Sequence, residues 1–233
     1  MDRRSFLVAT PALLAAGCVS VGGAAGPAAA APTYRLGDRW VYRCADGYRL
    51  PVEWTETHEV TAVDASGIAV RVTGQGGVNF ERVELLASPG VVKTGAAYDP
   101  DETRTFDPPM TRFDFPITPG TNWSQQLRNV NPQNQLLSNV GRFVKVGGYE
   151  TVITPAGTFN AITMRTLMSV DDNNPFRWPT QCNYVTWWAE APGNVVRMTK
   201  YATYRERGDG IDAIEIRAQN TTIELASYSR AAG

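Results

Sequence analysis

From Arg39 onward, apolar and polar side chains alternate with a period of two, in runs rich in Val, Ile, Thr, Tyr and Trp. Successive side chains of a strand point to opposite faces, so this pattern predicts half-buried β-strands. It places them at 40–45, 52–63, 68–73, 81–87, 143–153, 161–170, 184–189, 195–205, 211–218 and 222–228. No convincing amphipathic helical period appears. Between the runs, Asp64-Ala65-Ser66-Gly67, Pro155-Ala156-Gly157, Asp171-Asp172-Asn173-Asn174-Pro175, Pro192-Gly193-Asn194 and Gly208-Asp209-Gly210 offer residues that accept turn geometry at low cost. Consecutive strands joined this way pair as a meander. The expected fold is all-β: a single antiparallel meander forming a curved sheet, half-barrel or sandwich.

Two departures from this rhythm matter. Between Asp99 and Pro132, six prolines remove backbone donors, which predicts a crossover or an edge. Phe113, Phe115 and Ile117 still alternate there, so a short edge piece should lay three apolar side chains on the sheet, as a cover for the core or a lid over a cavity. Elsewhere Gly37-Asp38-Arg39-Trp40 has a counterpart in Gly120-Thr121-Asn122-Trp123, each followed by a strand, a Gly-bearing turn and a strand. That faint repeat suggests two related β units.

The first residues follow a different logic. Asp2-Arg3-Arg4 precedes an uncharged stretch, Ser5 to Gly17, too short to span a bilayer, which reads as a signal peptide over 1–17. Arg3-Arg4-Ser5-Phe6-Leu7 resembles a twin-arginine export signal. Leu14-Ala15-Ala16-Gly17-Cys18 is similar to a lipobox, which implies cleavage before Cys18 and lipid on its thiol; an ordinary peptidase cutting in Ala28-Ala29-Ala30 is the alternative. Residues 18–32 carry nothing to bury and are expected to form a flexible tether, followed by the β domain over 33–233. Val19 stands where an inner-membrane retention Asp would stand, which by the same resemblance implies the periplasmic face of the outer membrane.

Removal of a leader leaves about two hundred residues, enough for a sizeable core. The net charge of the 233-residue chain is −1 and no basic run lies beyond the leader, which argues against a nucleic-acid partner. Apart from Cys18, the chain has Cys44 and Cys182, which in an exported protein form either a disulfide or two buried free thiols. Cys44 alternates with Trp40 and Tyr42, and Cys182 with Tyr184 and Trp188, so a bond would gather these four aromatics on one side.

His58 is the single histidine, which excludes His-cluster metal sites. It shares a strand face with Trp54, Glu56 and Val60. That arrangement offers a polar spot in a cavity, a cross-strand pair near an edge, or a catalytic base working with Glu56 or Glu190. Asp171-Asp172-Asn173-Asn174 and Asp99-Pro100-Asp101-Glu102 cluster oxygen ligands without the spacing of a calcium loop, and read as solvated turns before cation sites. No phosphate loop or dinucleotide fingerprint is present, and no cofactor is expected. Six tryptophans suit a core or a binding platform.

Leu36-Gly37-Asp38-Arg39-Trp40, Phe115-Pro116-Ile117 running to Trp123, Thr154-Pro155-Ala156-Gly157-Thr158-Phe159, and Trp187-Trp188-Ala189-Glu190-Ala191-Pro192-Gly193-Asn194 together resemble the TapB-like envelope β proteins, whose function is unknown. The resemblance implies an antiparallel β domain and brings no catalytic residue. The expected function is a non-catalytic envelope lipoprotein, held to a membrane through Cys18, that binds a hydrophobic, glycan or other envelope-derived ligand or a partner protein. Trp40, Tyr42, Trp54, His58, Tyr184 and Trp188 are the expected ligand-lining residues. An envelope hydrolase using His58 with a carboxylate, and a structural assembly factor without a pocket, are the alternatives.

Overall fold

The computed structural model describes residues 26–131, 135–207 and 214–231. The leader and Cys18 lie outside the described residues, as does the expected turn at Gly208-Asp209-Gly210.

Twelve described strands follow one another as a meander: β1 (Arg39–Asp46), β2 (Val52–Asp64), β3 (Gly67–Gly76), β4 (Phe80–Ser88), β5 (Val91–Gly95), β6 (Arg104–Thr111), β7 (Asn122–Val130), β8 (Leu137–Thr154), β9 (Gly157–Asp171), β10 (Thr180–Ala189), β11 (Asn194–Arg205) and β12 (Glu215–Ser229). Each pairs with its successor, and β12 returns to β1, closing a barrel. The antiparallel all-β expectation holds, while the open curved sheet, half-barrel or sandwich is corrected to full closure. The β1–β12 ladder runs from Arg39↔Ser229 to Asp46↔Thr221, so neither terminal strand is left as a free edge.

The strands missing from the alternation pattern are β5, β6 and β7. Two of them occupy the proline-rich stretch read as a crossover. Pro108 and Pro109 fit within β6 because both of its ladders are interrupted there: β6 meets β7 only at Phe106↔Asn129 and Asp107↔Arg128, and meets β5 at 104–105 and 110–111. Their missing N–H groups therefore cost no ladder bond. At the other end of the chain, β12 is one continuous strand where the pattern suggested a break before Thr222.

The tether expectation is corrected for its last residues. Ala29 is fully buried and exchanges two backbone hydrogen bonds with Ile117, at 2.9 and 2.8 Å. This segment thus straps the barrel at Ile117, with Ala29 in one core cluster with Phe113 and Ile117 and Gly26 against Tyr149. Small side chains with nothing of their own to bury are what allow so close an approach.

The repeated Gly-x-x-Trp motif marks matching corners. Gly37 and Gly120 have φ of +86° and +85°, a left-handed conformation that glycine adopts without strain. Gly37 N–H donates to Val60 O and Val60 N–H to Asp38 O; likewise Gly120 N–H donates to Val146 O and Val146 N–H to Thr121 O. Trp40 stands opposite His58 and Trp123 opposite Val144, two residues before the respective valine in each case. The corners lie six strands apart, at the starts of β1 and β7.

Outward strand positions include Arg39, Arg43, Arg71, Lys145 and Arg165, with Arg71 paired to Glu59 at 2.7 Å. Apolar residues such as Val83, Leu85, Phe143 and Leu167 are exposed on the same outer surface.

Candidate functional site

The interior is where the chain breaks the rule that apolar side chains go inward. On β4, Arg82 is 8 % exposed and Glu84 is 3 % exposed, while Val83 between them is 44 % exposed. The inversion recurs on β8, where Arg142 is 7 % exposed and Phe143 is 38 % exposed, and on β11, where Lys200 lines the interior and Tyr201 faces out. Burying charge at the cost of exposing Val, Phe and Tyr is unfavourable for stability alone. Three strands accept that cost at one place.

These side chains surround a cavity inside the barrel. The space open to the centres of water-sized spheres is about 180 Å³, room for on the order of ten waters or one small amphipathic molecule. Its apolar wall includes Trp40, Tyr42, Trp54, Leu86 and Phe113, and every methionine after the initiator: Met110, Met164, Met168 and Met198. Methionine is flexible and polarisable, so such a wall can adapt to an occupant. The polar ends of two aromatics are fixed by the β10–β11 turn region: Trp40 Nε1 donates to Pro192 O at 2.8 Å and Tyr42 OH to Val195 O at 3.1 Å.

The segment 96–103, between β5 and β6, lies against the cavity through Ala96, Ala97 and Pro100. Interior side chains pin it. Lys200 Nζ donates to Tyr98 O at 2.6 Å, Gln219 Nε2 donates to the same oxygen, and Arg82 donates to Pro100 O.

Two carboxylates organise part of the charge. Glu84 accepts from Arg82 at 3.0 Å and from Arg112 at 2.9 Å. Glu56 lies 2.6 Å from His58 Nε2 and 3.7 Å from Arg82. Burial by itself would raise both carboxyls. Arg112 and Arg82 beside Glu84, and the hydrogen bond and charge of His58 with Arg82 and Lys200 beside Glu56, outweigh it and hold both below the ordinary range. Among the described residues Arg142 has no carboxylate partner: one Nη donates to Thr111 O, and its buried Nε has no partner. Burial and the neighbouring charge of Arg112 push it down to about 10. Lys200 sits 5.4 Å from the ring centre of Tyr184, is likewise lowered by burial against the opposing pull of Glu56, and has no carboxylate at ion-pair distance among the described residues.

Of the six residues expected to line a ligand site, Trp40, Tyr42, Trp54, His58 and Tyr184 lie on the wall of this cavity. Trp188 is instead packed away, its ring 5.4 Å from that of Phe115. Trp188 keeps the inward alternation of β10 but belongs to the core cluster with Ile117 and Val195, next to a bulge that leaves Val196 of β11 unpaired. Glu190 is exposed and does not reach His58. His58 bonds Glu56 and meets the Tyr42 ring edge-on at 5.0 Å, and no hydroxyl or thiol is hydrogen-bonded to it among the described residues.

The disulfide reading is corrected. Cys44 and Cys182 are free, buried thiols in different core clusters. The ladders explain why: following Cys44 across Ile223 and Met198 leads to Thr186 on β10, four residues from Cys182. Three strand spacings amount to about 14 Å, twice the Cα separation a disulfide tolerates. The two acidic clusters do not form cation loops either. Glu102 and Asp172 are buried around Arg104, which donates to them at 2.7 and 2.6 Å, so a guanidinium stands between the two carboxylates. No group of three or more His, Cys, Asp or Glu side chains suited to a metal occurs among the described residues.

No protein-family model matches the chain, and no curated protein matches it. Solved structures do. A Bacteroides fragilis protein described as exported and YMCC-like in fold aligns over 88 % of this chain and 100 % of its own, with a TM-score of 0.55 at 15 % identity. The fold is YMCC-like. A Parabacteroides distasonis protein described as a lipoprotein aligns over the same shares, with a TM-score of 0.52 at 11 % identity.

In this YMCC-like barrel the charged residues Arg82, Glu84, Arg112, Arg142 and Lys200 are the functional candidates that sequence reasoning missed. A signal did exist in Arg82-Val83-Glu84-Leu85, since alternation fixes only which residues share a face. Which face turns inward is decided by the neighbouring strands.

Proposed function

We propose that this protein is an exported, membrane-anchored binding protein whose barrel encloses one amphipathic small molecule. The observation that carries the reading is the interior cavity with its methionine and aromatic wall and its inward-turned charges, where an all-apolar core would be more stable. Export and lipid attachment at Cys18 follow from the leader, and the exported and lipoprotein descriptions of the two structural neighbours support them. Only seven residues, and so eight Cα–Cα steps, separate Cys18 from Gly26, where the described chain begins. At full stretch they span about 28 Å, so an anchored barrel would ride close to the membrane, near envelope-derived ligands.

Native mass spectrometry of the full chain purified from a bacterial envelope tests this reading. A discrete mass that stays with the folded protein and leaves on denaturation is the expected result. A bare protein whose tryptophan fluorescence also fails to respond to a neutral apolar probe such as N-phenyl-1-naphthylamine would remove it, because Trp40 and Trp54 line the cavity.

A further inference from the structure

Resting on the reading of the cavity as a ligand site, the geometry points to its occupant's chemistry: a phosphomonoester headgroup on an apolar body, with the phosphate held by Arg142, Tyr184 and Lys200.

The charge balance comes first. Arg82, Arg112, Arg142 and Lys200 line the cavity against Glu56 and Glu84, so arginine and lysine cations outnumber carboxylates by two. The two carboxylates are taken by Arg82, Arg112 and His58. Among the described residues Arg142 and Lys200 are the lining cations with no carboxylate at ion-pair distance, although the charges of Glu56 and Asp99 are felt at Lys200. A buried cation without a counter-charge is costly enough that something ordinarily accompanies it.

Unmet hydrogen bonds fall at the same place. Arg142 Nε is buried with no hydrogen-bond partner, the buried Tyr184 hydroxyl has only the weakly bonding Cys182 thiol for company, and both residues are 7 % exposed. Tyr184 stands directly opposite Lys200 on β11 and opposite Thr166 on β9, while Arg142 on β8 faces Met168, the next inward position of β9. Arg142 and Lys200 thus flank Tyr184 across three strand spacings and a two-residue stagger, about 16 Å of wall, a gap that an arginine and a lysine can straddle from its two sides. Three donors with no anion between them match the acceptor oxygens of a phosphate, which carries about −1.5 to −2 at neutral pH and so offsets both cations. A carboxylate would offset one. Beyond this corner the wall turns apolar through Met164, Met168 and Met198, which calls for a hydrocarbon or aromatic body attached to the phosphate.

The test is isothermal titration of the full chain carrying Cys18→Ser, so that no lipid anchor is present, with dodecyl phosphate, dodecanol and inorganic phosphate. Dodecyl phosphate should bind at least tenfold more tightly than either of the others. Arg142→Met and Lys200→Met should each weaken dodecyl phosphate at least tenfold and leave dodecanol within twofold, and Arg142→Lys should retain most of the affinity. Circular dichroism checks that each variant is folded. Equal affinity for dodecanol and dodecyl phosphate would overturn the phosphate subsite while leaving the cavity reading intact. Inorganic phosphate binding as tightly as dodecyl phosphate would overturn the apolar body. Binding of none of the three would overturn the subsite and the cavity reading together.

Discussion

Glu56 and His58, neighbouring inward positions of β2, meet at 2.6 Å between Oε1 and Nε2, and the same carboxylate lies 3.7 Å from Arg82. Arg82 in turn reaches Glu84 on its own strand, and Glu84 reaches Arg112. One chain of charge thus runs across the inside of the barrel from β2 to the end of β6. It is satisfied along its length, and it ends beside Arg142, which is not.

That chain makes stability sensitive to acid. Glu56 and Glu84 are held below the ordinary carboxyl range in the folded protein and protonate near pH 4.3 when unfolded. A depressed folded value means the stabilisation is complete above the unfolded value and is lost as pH falls through the folded one. The thermal midpoint should therefore hold steady from pH 8 to 5 and drop below about pH 4. Glu84→Gln should lower stability at neutral pH by about 3–5 kcal/mol, because Arg82 and Arg112 lose their partner, and should flatten the acid limb. A midpoint curve parallel to that of the unmodified protein would show that Glu84 is not the linked group.

The matched corners give a second prediction. A Cβ at Gly37 or at Gly120 would meet no atom within 4 Å. The cost of Gly37→Ala and of Gly120→Ala is then set by positive φ alone and should be about 1 kcal/mol at each site. Chemical denaturation of the two variants checks this. A difference of several-fold between them would mean the two corners are not equivalent in energy, whatever their hydrogen bonds.

Nine of the twelve described strands were legible in the sequence because side-chain alternation and turn residues are local properties, while β5, β6 and β7 were not. Closure was not, because it depends on β12 finding β1 across nearly two hundred residues. The faces of β4 were hidden for a further reason: Val83 outside and Arg82 inside reverse the hydrophobic assignment, and such reversals arise where a site overrides packing. The aromatic half of the cavity was readable from Trp40, Tyr42 and Tyr184 without the disulfide that suggested their grouping. The strap at Ala29 was invisible, since a run of alanine and glycine carries no pattern until Ile117 is placed beneath it.

Cys44 and Cys182 should behave as inert thiols. Burial raises both, Cys182 to about 11, so little thiolate is present at neutral pH to be oxidised or to attack a reagent. Both should fail to react with a thiol reagent in the native state and react fully in denaturant, and reductant should leave the thermal midpoint unchanged. A midpoint that falls on reduction would reveal a disulfide.

Two buried arginines should respond to the same substitution with opposite sign. Arg104 is locked in place: it donates to Glu102, to Asn129 at 2.9 Å and to Asp172, and Ser138 and Arg177 contact that same aspartate. Arg104→Met removes the cation that separates two buried carboxylates and should cost about 3–5 kcal/mol. Arg142→Met replaces a cation that has no carboxylate and an unmet Nε with an apolar chain of similar reach, among Met164, Met168 and the other thioethers of the wall. It should leave stability unchanged or raise it, as expected where a binding residue is held at the expense of packing. Differential scanning calorimetry of the two variants reads both signs at once. Equal destabilisation by both would mean that Arg142 is a structural residue with partners of its own, and the phosphate corner would lose its central donor.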